Sequence, residues 1–324
     1  MANDPHPSRT AGYKPGLAAF SAIAAIWVFV LVTLGAFTTT IGAGMAFQDW
    51  PLSNGSLNPN GWLSNIAMFA EHSHRLSAGM MTTLTVILAL WAWRSEARAW
   101  LRKLTYFAVA LVFAQALVGG LRVLLDHVQI ASIGTSLGRV FAMLHACLAQ
   151  AFVCTLIAVA VAFSRGWVAR PVPAGKGVRT AGIVCVALIF VQLGVAAVMR
   201  HSFAGLAIPT FPFSTPEGNI LPAAWDFRVA IQFTHRVMAL VITVAVAFFV
   251  VAIWRDRGVP VTMKSGASAL VSLLAMQIFL GAAIVKTLRN PAITTGHVLV
   301  GAVTLATAFW LTWSAHRDRI EGAP

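Results

Sequence analysis

Eight times along the chain an apolar run reaches the roughly 20 residues needed to cross the hydrocarbon core of a bilayer. The runs lie near 17–40, 66–93, 104–123, 140–163, 180–199, 228–254, 266–286 and 293–314. In hydrocarbon a segment must satisfy its own backbone polar groups, and runs of this length do so as helices. The expected fold is an all-α membrane protein with eight transmembrane helices. Composition agrees, since 58% of the 324 residues are hydrophobic and 10% are charged.

A net charge of +13 raises the question of a nucleic-acid partner, and the placement of the basic residues answers it. With the N-terminus inside, Arg9, Lys14, Arg94, Arg98, Arg102, Lys103, Arg165, Arg170, Lys176, Arg179, Arg255, Arg257, Lys264, Arg317 and Arg319 fall on the cytoplasmic side, which is 15 of the 23 Lys and Arg residues. The first outer loop, residues 42–70, has neither. This bias orients the chain in an inner (cytoplasmic) membrane with both termini cytoplasmic, and no nucleic-acid partner is implied. The first apolar run is too long for a signal-peptide core and lacks a small-residue cleavage site, so it is expected to remain as a helix. Cys147, Cys154 and Cys185 all fall inside predicted helices, where they read as small packing residues rather than as a disulfide.

The chain also repeats itself. "AGMAFQDWP" at 43–51 matches "AGLAIPTFP" at 204–212, an offset of 161 residues, and "EHSHR" at 71–75 matches "QFTHR" at 232–236 at the same offset. "AQALVGG" at 114–120 parallels "MQIFLGA" at 276–282, and His145 in "MLHACLA" corresponds to His297 in "TGHVLVGA". The repeat predicts two tandem four-helix bundles related by a pseudo-twofold axis along the membrane normal. Their expected bounds are 1–163 for the first bundle, 164–179 for a cytoplasmic linker and 180–324 for the second.

The repeat sorts the histidines. His74/His235 and His145/His297 recur, whereas His72 is matched by Phe233, and His127 and His201 have no counterpart. Ionisable residues within membrane spans mark function by default. All four recurrent histidines lie roughly 9 to 15 Å from the outer end of their helices, so within each half two imidazoles can meet at one depth. Two imidazoles from facing helices without cysteine suit axial ligation of heme iron better than a closed tetrahedral zinc site. Ala149 and Gly301, four residues beyond His145 and His297, offer room for a flat ring. Arg75 and Arg236 directly follow candidate ligands, and Arg122 and Arg200 close the third and fifth helices on the same side. All four are candidates to bind heme propionates, with interfacial snorkelling as the structural alternative for Arg122 and Arg200.

The halves differ at one chemical position. Glu71 is three residues before His74 and shares its helical face, while His72 points elsewhere and reads as structural. The second half has Gln232 in place of Glu71. A carboxylate can take up a proton or stabilise positive charge, and an amide can do neither. Chemistry is therefore expected in the first half and a permanent cofactor in the second.

Taken together, these residues resemble the heme A synthase family, membrane oxidoreductases that convert a methyl group of heme O to the formyl group of heme A for terminal oxidase assembly. The resemblance covers nearly the whole chain and rests on Glu71-x-x-His74-Arg75, the helix-4 "LHACLAQ", the helix-6 "THR" and the helix-8 "GHVLVGA". It implies that His235 and His297 hold heme b, that His74 and His145 receive heme O, and that Glu71 is the essential carboxylate. It also implies a functional link to the farnesyltransferase that makes heme O, and a homo-oligomer is compatible with it. The departures are a first outer loop without the cysteine pair of some relatives, which excludes thiol-based electron delivery there, and "TTTIGAG" where many relatives have an Arg. The segment "LLDHVQIASIGTS" before the fourth helix, within residues 124–138, has no evident role.

Two other readings are compatible with parts of the pattern. A diheme b carrier passing electrons from quinol to a periplasmic acceptor explains the paired histidines but not Glu71. A two-repeat transporter explains the topology but not the histidines.

Overall fold

The computed structural model describes residues 12–322; Arg9 and the rest of the polar segment 1–11 lie outside the described residues. Eight helices are long and apolar enough to span a membrane: α1 (Pro15–Thr40), α2 (Ile66–Ser95), α3 (Ala99–Leu124), α4 (Leu137–Phe163), α6 (Lys176–His201), α7 (Phe227–Arg255), α8 (Val261–Lys286) and α9 (Pro291–Ala315). The short helices α5 (Arg165–Ala169) and α10 (Arg317–Ile320) follow α4 and α9. The chain is a multi-pass membrane protein. Several helices begin a turn or more before the apolar windows, as at Ala99, Lys176 and Val261. There the backbone continues its hydrogen bonding through basic turns containing Arg102, Lys103, Arg179 and Lys264, which hydropathy excludes.

Helix starts are built unequally. The four helices carrying the recurrent histidines open with side-chain caps: Asn65 for α2, Ser136 for α4, Asp226 for α7 and Asn290 for α9. The starts of α1, α3, α6 and α8 have no side-chain cap. Each cap satisfies backbone N–H groups that the first turn leaves open, contributing about 1 kcal/mol and fixing where the helix begins. Depth along these four helices is thereby pinned.

The segment before α4 forms a small hairpin. Strand β1 (Gln129–Ile130) pairs antiparallel with β2 (Thr135–Ser136), and Gly134 takes the left-handed φ of 59° that the turn requires. Asp126 accepts from the Ser136 hydroxyl at 2.6 Å, tying the hairpin to the end of α3.

Within the first half α1 packs on α2, α2 on α3, α3 on α4 and α4 back on α1; α6, α7, α8 and α9 repeat the cycle. Between the halves, α1 meets α9, α6 meets α4, and α4 meets α9. Exchanging the halves maps this set of contacts onto itself. Cys154 of α4 lies in the core of the second half and Ala306 of α9 in that of the first. All three cysteines are free. Large apolar side chains such as Ile26, Phe107, Leu240, Phe248 and Phe279 face outward, as a lipid-contacting belt requires.

At the end with the short connections, fully buried Glu96 accepts from Lys14 at 3.2 Å and from the Arg98 Nε at 2.9 Å. Arg98 also reaches Ala162 O and Glu321, while the Trp167 indole donates to Glu321 and stacks on Trp313 with ring centroids 6.0 Å apart. This network fastens the C-terminal turn beneath α4, leaving the opposite, loop-rich end to carry the histidines.

Candidate functional site

His74, His145 and His235 each stand eight residues beyond the first residue of their helix (Ile66, Leu137 and Phe227), and His297 stands six beyond Pro291. At 1.5 Å per residue this is about 12 and 9 Å. The structure brings them together in two pairs. The His74 and His145 ring centroids are 6.5 Å apart, as are those of His235 and His297.

Glycines on neighbouring helices make room for these rings. A Cβ at Gly35 of α1 would stand 2.8 Å from His74 Cε1, one at Gly119 of α3 2.9 Å from His145 Cε1, and one at Gly281 of α8 3.3 Å from His297 Cε1. Only glycine lets the backbone come this close at the first two. Three glutamines complete the surroundings. Gln115 Nε2 donates to His145 O at 2.9 Å, Gln192 Nε2 donates to His235 O at 2.9 Å, and Gln277 Nε2 lies 3.2 Å from His297 Nε2. Gln192, Gly35 and Gly281 were not evident as site residues in the sequence, because a single small or amide residue in a span carries no periodic signal. At Gly301 the missing Cβ leaves space for the Gln277 side chain, whose Nε2 would stand 3.0 Å from it.

Above each pair the outer loop folds back under control of the repeated motif. Glu71 Oε2 accepts from Phe47 N at 3.0 Å, and Gln232 Oε1 accepts from Ile208 N at 2.5 Å. Arg75 donates to the carbonyls of Phe47, Asp49 and Leu52, and Arg236 donates to those of Ile208, Thr210 and Phe213. Every acceptor in the second set lies 161 residues after its counterpart. The two roofs are the same hydrogen-bonded device. Within the first, burial pulls the Asp49 carboxyl upward, but backbone donors at Gly55 and Asn54, with Arg75 nearby, hold it below the usual carboxylate value.

Charge distinguishes the two roofs. Arg75 Nη2 donates to Glu71 Oε1 at 2.5 Å in a buried ion pair. Gln232 instead turns its amide nitrogen to Gly205 O at 2.9 Å. The counterpart of Gly205 is Gly44, whose carbonyl accepts from Arg122. A carboxylate cannot donate to that carbonyl, so the first half supplies a guanidinium from α3 to do so. Glu71 and Arg122 together replace Gln232.

The other candidates are also placed. Arg200 Nη2 crosses from α6 to Ala36 O and to Thr40 Oγ1 at 2.8 and 2.6 Å, bringing a guanidinium to the end of α1, which has none of its own. His201 closes α6, and His127 is exposed at the end of α3. His72 is buried, with Nδ1 3.0 Å from Ser53 Oγ and its ring 4.7 Å from that of Trp62. It is part of the loop packing, away from both pairs.

The residues fit a pair of hemes. A metal–imidazole bond of about 2.0 Å on each side, plus about 1.1 Å from nitrogen to ring centroid, gives about 6.2 Å between centroids of two axial imidazoles. Both pairs stand at 6.5 Å. His74, His235 and His297 each keep a buried Nδ1 without a partner, and among the described residues no cluster of three or more His, Cys, Asp or Glu is arranged to hold a metal ion. Two-imidazole donor sets therefore stand alone.

Comparison with known proteins agrees in extent. The sequence is 28% identical over 305 residues to the heme A synthase of Geobacillus kaustophilus, covering 92% of this chain and 91% of that protein. It is 28% identical over 236 residues to the heme A synthase of Bacillus pumilus, covering 71% and 73%, and 26% identical over 314 residues to that of Listeria welshimeri, covering 94% and 97%. The profile of the cytochrome oxidase assembly protein family, COX15-CtaA, matches residues 18–309, which contains six spanning helices whole, most of α1 and α9, and both roofs. The chain belongs to this family of cytochrome oxidase assembly proteins.

Proposed function

We propose that the chain is a heme A synthase, oxidising a methyl group of heme O to the formyl group of heme A, with unlike duties for its two imidazole pairs. His74 and His145 receive heme O, and His235 and His297 hold a resident heme b. The observation that carries this division is the charge difference between two otherwise matching roofs, an ion pair at Glu71–Arg75 and a neutral amide at Gln232.

Heme b, when bound, supplies one-electron redox chemistry. The chain supplies position and charge. The α2 and α4 caps set the depth of His74 and His145, and Gly35 and Gly119 let the rings lie against neighbouring backbone. Glu71 places a carboxylate at the roof of the same half, where Oε1 or Oε2 takes up a proton released from the reacting methyl group. Arg75 holds Oε1 and thereby fixes the direction of the carboxylate. The terminal nitrogens of Arg75 and Arg236 are occupied by loop carbonyls, so their main duty is to keep the roofs closed. Arg122 and Arg200, with fewer bonds to the chain, are assigned to the heme propionates.

The distribution of Lys and Arg supports a reading with both termini at the cytoplasmic face of an inner membrane and the imidazole pairs toward the outer face. A heme O-producing farnesyltransferase is the expected supplier of substrate. Equal spacing of the two pairs favours a second reading, a diheme b electron carrier, which gives no duty to the Glu71 carboxylate. Extracting the pigment of protein produced alongside a heme O source separates the two: a synthase yields heme A, and a carrier returns heme b alone.

A further inference from the structure

A groove of about 690 Å³ runs between α1 and α9 near the loop-rich end, lined by Thr33, Leu34 and Phe37 on one side and by residues including Thr295, Gly296 and Leu299 on the other. Its volume is that of a site for a drug-sized ligand. None of its lining residues is charged, and its walls are parts of two membrane-spanning helices, so an occupant arrives from the lipid phase.

Thr295 sets this groove apart from an ordinary gap between helices. Threonine in an apolar helix normally returns its hydroxyl proton to the carbonyl four residues earlier. Thr294, Thr304, Thr307 and Thr312 of the same helix all do so. Thr295 is 8% exposed, and its Oγ1 has no partner. Leaving a buried hydroxyl unpaired costs about 1–3 kcal/mol; Oγ1 is closed off from the groove as the side chain stands, so a ligand oxygen removes that cost by drawing the hydroxyl round to the groove wall. Across the groove the Thr33 hydroxyl gives its proton to Phe29 O and can still accept, and at the mouth Asn290 uses its carbonyl oxygen to cap α9 and keeps its amide protons.

The position is equally specific. On α1 the groove face lies roughly 150° around the helix from Gly35, whose backbone abuts His74. On α9 it lies roughly 150° from His297 by the same rule. The groove therefore runs between the two imidazole pairs with one helix separating it from each. We propose that it binds the head group of a lipid-soluble hydroquinone. Such a molecule is neutral, has a flat apolar ring with oxygens that can pair with Thr295 and Thr33, and bears a tail soluble in the bilayer. A phospholipid head is charged and finds no counter-ion among the lining residues, and a bare acyl chain leaves Thr295 unpaired.

The binding claim stands on the groove alone and does not depend on the activity proposed above. Its test uses the full-length heme-loaded protein in nanodiscs, a photoreactive azidoquinone with a short prenyl tail, and peptide mapping. Labelling should fall on 33–37 and 290–299 and be displaced by decylquinone but not by excess phosphatidylcholine. Thr295→Val, which removes only the hydroxyl, should weaken binding about 3- to 10-fold, and Gly296→Phe should abolish labelling, both with an unchanged heme absorption spectrum. Labelling elsewhere, unchanged affinity in Thr295→Val, or equal displacement by phosphatidylcholine would overturn the proposal, the last by making the occupant an acyl chain. If the protein makes no heme A yet is labelled as described, the proposed activity fails and the binding site stands.

Discussion

Replacing Glu71 by Gln gives the first half the residue that the second half already carries, and the structure shows what should follow. The amide oxygen can still accept from Phe47 N, as Gln232 does from Ile208 N. The amide nitrogen has no such place, because Gly44 O, the counterpart of Gly205 O, is already taken by Arg122. It must face the donors of Arg75 and Arg122 instead. The variant loses the charge-assisted bond from Arg75 at 2.5 Å, worth about 1.5–3 kcal/mol. The expected destabilisation is about 2–3 kcal/mol, a fall in melting temperature of roughly 5 °C. Adding Arg122→Ala frees Gly44 O for the new amide and should return about 1 kcal/mol, a coupling that a double-mutant cycle resolves. Melting temperature and second-half heme absorbance measure the structural side, and heme extracted after supplying heme O measures the chemistry. Both variants should keep heme b and make no heme A or stop at the alcohol; Glu71→Gln should take up heme O as the wild type does, and the double variant should take it up less well because it lacks the Arg122 guanidinium assigned to a propionate. Wild-type heme A from Glu71→Gln would falsify the catalytic role of the carboxylate, and a double variant no more stable than the single one would refute the equivalence of Gln232 with Glu71 plus Arg122.

Other outcomes follow from the same geometry. His235→Ala or His297→Ala should each remove a low-spin, bis-histidine heme b spectrum, because one imidazole cannot complete the axial pair; full spectra in both variants would contradict the second-half assignment. His72→Ala should retain both heme sites and most activity while loosening the loop over Ser53 and Trp62, seen as faster proteolysis within residues 42–65. Gly119→Val should displace His145 and impair heme O binding with the second-half spectrum unchanged, because its Cβ alone would stand 2.9 Å from the ring. Burial raises the Glu96 carboxyl, but bonds from Arg98 and Lys14 hold it below the usual carboxylate value. Its contribution to stability is therefore complete above pH 4.5 and lost as pH falls through the folded-state value. Glu96→Gln should flatten that acid limb of the melting-temperature profile.

Eight spans and the pairing of recurrent histidines were legible because both rest on strong regularities, apolar length and a fixed repeat offset. Helix starts were less so: at Ala99, Lys176 and Val261 the helices continue through basic turns that hydropathy scores as loop. Arg75 and Arg236 were visible as a repeated pair, but their bonds are to carbonyls, and a backbone acceptor leaves no mark in the identity of Phe47 or Ile208. Glu71 against Gln232 was legible as a charge difference. Its compensation by Arg122 was not, since Arg122 is on another helix and has no repeat partner. Gly35, Gly119 and Gly281 matter through the space they leave against a neighbouring ring, and Thr295 through a bond it does not make. Such features emerge only when helices are packed.

The most direct test is to purify the full-length chain from cells supplied with heme O and to identify its extracted hemes by chromatography and mass. Heme b together with heme A or its alcohol precursor is the expected result, with the oxidised products absent from Glu71→Gln while heme b persists. Recovery of heme b and unaltered heme O alone from the wild-type protein would contradict the proposed activity.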